Sequence, residues 1–293
     1  MARTSPTVRQ RELGTRLREL RRQRDLTVED VAEKLLCSAT RISRLETGAR
    51  RPGRHDVRDL CELYGLDEST SAELMTLASE VRSPGWWTQY EDLNLDPYLG
   101  LEQDAIAITS YSAYYIPGLL QSEDYARAVI SAIAPMMDPA IRQQRVASRM
   151  RRQQILEADD RPRYRVLLDE SALHRCTGGT TVMGAQLDKV LQAVEQAKLT
   201  IQVIPFNVGV HAAQDSNFVM LEFNDESRVS PVVFVEGLTG NRYLEGKSEI
   251  ARYREAIVYL RDAALSARDS ISLIAGLRAA YGSMLFEQEN NVE

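Results

Sequence analysis

The chain has 293 residues, 44% hydrophobic and 27% charged, with a net charge of −6, a size that allows two domains, each with its own core. No run of 18 apolar residues occurs and the opening MARTSPTVRQR lacks the apolar stretch of a secretory signal, so a membrane-spanning helix is excluded and a cytoplasmic protein is expected. The net charge hides an asymmetry. Residues 1–54 hold 14 of the 36 Lys and Arg and only 7 of the 42 Asp and Glu, a local balance of +7 against −13 for the remainder, so one end alone suits a polyanion.

In chain order, the spacing predicts a first helix over residues 8–24, with Leu13, Leu17 and Leu20 inward. Arg9, Arg11, Arg16, Arg18, Arg21 and Arg22 are expected on or near its outer faces, meeting phosphate or balancing Glu12, Glu19 and Asp25. Residues 26–52, LTVEDVAEKLLCSATRISRLETGARRP, read as two short helices joined by a tight turn with a basic run behind them. Thr27 is the N-cap of the first, followed by Glu29 and Asp30 where the helix dipole favours negative charge. Val31, Ala32 and Leu35 form its apolar face, and small Ala32 allows a steep helix crossing. Ser38 caps the second helix, which turns Ile42 and Leu45 inward and carries Thr40, Arg41, Ser43 and Arg44 on its other faces. Gly48 supplies a left-handed stop, and Arg50, Arg51 and Arg54 surround Pro52. Two more stripes follow, Val57, Leu60, Cys61 and Tyr64 ended by Gly65, then Leu74, Leu77, Ala78 and Val81, completing five helices over about 80 residues.

Ala32 and the run from Ile42 to Pro52 resemble the Cro/cI-type (XRE) helix-turn-helix family. The sequence departs from that pattern at Val28, where the family often has Gln, and at Leu36, where it often has Gly, so the turn must form without glycine's freedom. The resemblance implies a λ-repressor-like domain whose second helix enters the major groove. On that basis Ala39, Thr40, Arg41 and Arg44 are the candidate base readers, and Thr27, Ser38, Ser43, Arg50, Arg51, Arg54 and Arg16 the candidate phosphate contacts.

Ser83-Pro84-Gly85 marks the expected boundary between a DNA-binding domain of residues 1–82 and a second domain of residues 83–293. Residues 86–115 are rich in aromatics, with Trp86, Trp87, Tyr90, Tyr98, Tyr111, Tyr114 and Tyr115. They read as ordinary core at the base of the second domain, with a ligand pocket or a dimer contact as the alternative. A helix is expected from about residue 122 with Tyr125, Ala126 and Val129 inward, and a longer one from Asp138-Pro139 to about residue 156. Its Arg142, Arg145, Arg149, Arg151 and Arg152 read as a solvated or ion-paired face, an anionic effector being the alternative. Strands are expected at 164–168, 200–206, 218–223 and 232–235, a helix at 181–196, and helices over 248–267 and 271–285 before a frayed EQENNVE. The fold class is therefore α+β overall, an all-α five-helix domain followed by a mixed α/β domain.

The segments PGLLQSEDYARA, RMRRQQIL, LLDESALHR, IQVIPF and VVFVEG resemble the large C-terminal domain joined to XRE-type helices in many actinobacterial regulators, WhiJ-like ones included. That resemblance implies a small acidic protein antagonist as a partner of this domain and supplies no ligand. Chemistry has one candidate cluster, Asp169, Glu170, His174 and Cys176, in which Glu170 and His174 share a helix face. His55 and His211 stand apart from it, no G-x-S-x-G or phosphate-loop motif occurs, and the cysteines Cys37, Cys61 and Cys176 form no C-x-x-C pair. No catalytic residue, metal or cofactor is expected, and the thiols are expected to be buried and reduced. The sequence thus points to a regulator of double-stranded DNA, a homodimer on a pseudo-palindromic operator, whose second domain receives a protein or small-molecule effector. A protein-partner adaptor with secondary DNA binding, or a tethered enzyme, are the competing readings.

Overall fold

The computed structural model describes residues 6–81, 85–90, 96–196, 199–225, 229–237 and 240–290, and divides into two compact units. The first holds Met1–Gln89, Leu95–Asp104 and Phe223–Ser230. The expected Ser83-Pro84 break lies outside the described residues.

Five helices build most of the first unit: α1 (Pro6–Arg22), α2 (Val28–Lys34), α3 (Ala39–Glu46), α4 (Arg54–Leu63) and α5 (Glu68–Glu80). Their apolar stripes meet in one core of Leu13, Leu17, Val31, Ala32, Ile42, Val57, Leu60, Cys61, Tyr64, Leu74, Leu77, Ala78 and Val81. Fully burying one such leucine stabilises the unit by roughly 1.5–3 kcal/mol. Gly14 lets α1 come close to α3, since a Cβ there would stand 2.7 Å from the Leu45 carbonyl oxygen. A sixth helix, α6 (Asp96–Asp104), packs on α1 in the same unit, with Tyr98, Leu99 and Leu101 buried. The aromatic segment is therefore divided: Trp86, Trp87 and Tyr98 belong to the first unit, while Tyr111, Tyr114 and Tyr115 belong to the second.

The second unit is built on a six-stranded sheet of order β3-β2-β1-β4-β5-β6. Its strands are β1 (Ala107–Ser112), β2 (Arg163–Asp169), β3 (Leu199–Ile204), β4 (Phe218–Glu222), β5 (Val232–Gly237) and β6 (Gly240–Leu244). β1, β2 and β3 run parallel, and β4, β5 and β6 continue antiparallel. Parallel neighbours need long crossovers, which α7 (Glu123–Ile133) and α8 (Pro139–Arg152) supply between β1 and β2. Between β2 and β3 lie α9 (Ser171–His174) and α10 (Thr180–Gln196), and α11 (Lys247–Ala263) and α12 (Ala267–Asn290) follow β6.

Four of the six strands stand where the sequence pattern puts them; β1 and β6 were not anticipated. β1 is buried along nearly its whole length, so it lacks the alternation that marks a half-exposed strand. β6, GNRYL, is a polar edge strand with no apolar signal. The tail expected to fray is helical as far as Asn290, because α12 continues beyond Leu285; residues 291–293 lie outside the described set.

The loop before α7 is fixed by buried amides. Gln186 accepts the Ser122 N–H at 2.7 Å and donates to the Leu120 carbonyl at 2.7 Å, while Gln121 donates to the Ile116 carbonyl at 2.6 Å. Arg149 of the α8 basic cluster donates to Gln121 Oε1 at 2.8 Å, and the Lys189 ammonium donates to the Gln121 carbonyl at 2.9 Å. Burial lowers the Lys189 pKa, against the attraction of Glu157. Arg149 of the basic cluster therefore satisfies a buried amide oxygen, and Lys189 of α10 a backbone carbonyl beside it.

Candidate nucleic-acid interface

The helix-turn-helix is held by its own capping chemistry. The Thr27 hydroxyl accepts the Asp30 N–H at 3.1 Å and the Asp30 carboxylate accepts the Thr27 N–H at 2.7 Å, a reciprocal pair that starts α2. Hydrogen bonding to the carboxyl from the Thr27 hydroxyl and then from the Thr27 N–H holds Asp30 below its usual range. At the other end the Cys37 N–H bonds the Ala32 carbonyl at 2.9 Å and the Leu36 N–H bonds Glu33 at 3.2 Å, the two-bond arrangement that closes a helix with one left-handed residue. That residue is Leu36, at φ 51° and with 94% of its surface exposed. The turn thus forms without glycine, at the cost of a left-handed side chain.

Ser38 caps α3 by accepting the Arg41 N–H at 3.2 Å. Behind α3, Gly48 adopts φ 68°, Gln10 of α1 donates to its carbonyl at 2.7 Å, and the Arg50 N–H bonds the Arg44 carbonyl at 2.9 Å. This stitching fixes the basic run relative to α3.

On the solvent side of this motif Ser38, Thr40, Ser43, Arg44, Arg50, Arg51 and Arg54 are exposed and Ala39 is half-buried. Among the described residues, Arg44, Arg51 and Arg54 form no ion pair. Arg41 differs: its Nη2 pairs with Asp56 Oδ1 of α4, leaving the side chain 40% exposed. Arg16 is turned towards α5, where Nη2 pairs with Glu73 at 2.7 Å, and the Thr27 hydroxyl serves its own helix.

Arg21 corrects the sequence reading. It is buried, and its guanidinium grips Glu46 of α3 through Nε at 2.6 Å and Nη2 at 2.9 Å, while Nη1 donates to the Leu26 carbonyl at 2.6 Å. The Glu46 hydrogen bond, against the penalty of burial, raises the Arg21 pKa above its usual value. The clue was in the spacing, because Arg21 continues the i, i+4 row of Leu13 and Leu17 onto the inner face. The pair locks α1 to α3. The sequence pattern does not single out Asp56 or Gln10 either; an acidic residue three positions after Gly53, at a helix start, is the available signal for Asp56.

In the second unit His211 does not stand alone. Its Nε2 lies 3.4 Å from Asp169 Oδ2 and 3.4 Å from the Tyr111 hydroxyl, at the carboxyl end of β2, because the segment after β3 folds back over that edge. Glu170 meets His174 at 3.2 Å and also accepts the Phe206 N–H at 2.8 Å. These contacts tie the β3 loop to β2. No group of three or more His, Cys, Asp or Glu able to hold a metal ion occurs among the described residues. The thiols are free, but only Cys61 is buried; Cys37 is half-buried and Cys176, at the turn after α9, is exposed.

A family model described as a domain of unknown function (DUF5753) matches residues 95–276, more than half of the chain. The chain belongs to the DUF5753 family. In this DUF5753 protein a second model, described as a helix-turn-helix domain, matches residues 12–74, which span α2, α3 and α4. That match supports a DNA-binding regulator of helix-turn-helix type with a C-terminal domain of unknown function. No curated protein and no solved structure matches the chain. No helix among the described residues is long and apolar enough to cross a membrane.

Proposed function

We propose that this DUF5753 protein is a sequence-specific, double-stranded-DNA-binding transcriptional regulator of the Cro/cI (XRE) type, one of the WhiJ-like actinobacterial regulators, working in the cytoplasm without a catalytic step or cofactor. The observation that carries the reading is the exposed face of α3, where Thr40, Ser43 and Arg44 are open and the exposed Arg50, Arg51 and Arg54 follow directly behind. Ala39, Thr40, Arg41 and Arg44 read base edges; Ser38, Ser43, Arg50, Arg51 and Arg54 hold phosphates. Thr27 and Arg16 take phosphate as secondary contacts, since their side chains already serve Asp30 and Glu73. Two copies bind a pseudo-palindromic operator with half-sites about 34–36 Å apart, because one small helix-turn-helix buries little DNA surface. The second domain supplies the dimer contact and receives the signal, from a small acidic protein or a small-molecule effector.

The test compares alanine variants on a selected duplex and on random-sequence duplex. Arg44→Ala and Arg41→Ala should weaken specific binding far more than non-specific binding, whereas Arg51→Ala should weaken both. Equal losses for all three would refute the division into readers and clamps.

A further inference from the structure

Arg41 is the one arginine of the proposed reading face that another helix holds by an ion pair, and the residue that holds it has two tasks. Asp56 lies at the third position of α4, where Oδ2 accepts the Gly53 N–H at 2.9 Å and so fixes the start of that helix. Its other oxygen, Oδ1, takes Arg41 Nη2. The carboxylate is mostly buried, with 13% of the side chain exposed, whereas Arg41 keeps 40% exposed. Burial works against the charge of Asp56, but the Gly53 N–H, the Arg41 guanidinium and the field of Arg50 outweigh it and keep the carboxyl ionised below the usual range.

A guanidinium has five N–H donors in a planar fork, and guanine O6 and N7 need only two of them on one edge. A free arginine must give up rotamer freedom to present that edge, at a cost of up to about 2 kcal/mol for so long a side chain. An arginine already tethered to an anchored carboxylate has surrendered part of that freedom before DNA arrives. Arg44 has no such tether among the described residues.

Building on the DNA-reading proposal, we propose that Asp56 is a positioning residue for base recognition, pre-orienting the Arg41 guanidinium towards a guanine while it caps α4. Asp56 touches no DNA in this account. Its own negative charge beside the interface opposes phosphate binding, so removing it should leave non-specific affinity unchanged or raise it. What should fall is discrimination at the one base pair per half-site that Arg41 reads.

Asp56→Asn keeps an oxygen for the Gly53 N–H and removes the charge that holds Arg41. Full-length wild type, Asp56→Asn, Arg41→Ala and the double variant are compared in competition binding on a duplex selected from a random pool, with each base pair substituted in turn, and on non-specific duplex. The expected result is a loss of roughly tenfold in preference for guanine at one position, with non-specific affinity equal or higher and a thermal midpoint lowered only by the ionic stabilisation that Asp56 contributes at neutral pH. In the Arg41→Ala background, Asp56→Asn should have no further effect on preference. An unchanged preference in Asp56→Asn, or an equal loss with and without Arg41, overturns the positioning role while leaving DNA reading intact. Failure of the wild type to enrich any sequence overturns the DNA reading itself, and this inference with it.

Discussion

Replacing Leu36 by glycine should make the first unit more stable, although it removes a leucine. Leu36 sits at φ 51°, a conformation that costs an L-residue roughly 1–2 kcal/mol because Cβ crowds the following carbonyl. Its side chain is 94% exposed, so truncation sacrifices almost no burial. Against the relief stands glycine's greater freedom in the unfolded chain, about 0.5–1 kcal/mol. The net gain is about 0–1.5 kcal/mol, centred on about 0.75 kcal/mol, a central value that for a unit of this size raises the thermal midpoint by about 3–6 °C. The chain's two tryptophans, Trp86 and Trp87, both belong to the first unit, and Trp87 is buried, so tryptophan emission during urea or thermal unfolding follows that unit. Leu36→Ala is the control, since alanine keeps the same backbone penalty and should change little. A destabilised glycine variant, or an alanine variant that gains as much as glycine, would refute the strain argument.

The remaining expectations concern charge. Glu46→Gln leaves the buried Arg21 guanidinium without its counter-charge and should cost about 3 kcal/mol in urea unfolding, while an apolar Arg21→Met/Glu46→Leu pair should recover most of that loss. Acid should weaken the first unit for a definite reason. The Asp30, Asp56 and Asp67 carboxyls all lie below the ordinary 3.8 in the folded protein; Asp67 does so through the Thr70 N–H and then its hydroxyl. Their stabilisation is complete at neutral pH, where both folded and unfolded chains are ionised, and is lost as pH falls below the ordinary value towards the folded ones. Unfolding followed from pH 7 to pH 3 should show that loss, and Asp56→Asn should flatten it; an identical slope would count against Asp56. In salt titrations of DNA binding, Arg51→Ala should reduce the slope of log K against log salt by about 1 per protomer contact.

Much of the first unit is legible in the sequence because it is built from local signals. Thr27 and Ser38 cap helices, and Ile42 and Leu45 fall at helical spacing on the buried side of α3. Contacts between distant residues were hidden. Arg21 and Glu46 look like two surface charges until α1 and α3 are crossed, and nothing local links Arg41 to Asp56. In the second unit, helices with clean N-caps such as Ser122 and Asp138 were visible, whereas β1 was not, since a strand covered along its length has no alternation. His211 met Asp169 and Tyr111 only through folding of the chain after β3, 42 and 100 residues away in sequence.

The central claim is that the exposed face of α3 reads sequence in double-stranded DNA. Selection of bound duplexes by the full-length protein from a random-sequence pool tests it most directly. The account predicts enrichment of a pseudo-palindromic motif whose half-sites lie about 10–10.5 base pairs apart, with a base preference that Arg44→Ala relaxes. Binding that enriches no sequence, or a motif that survives Arg44→Ala unchanged, would contradict it.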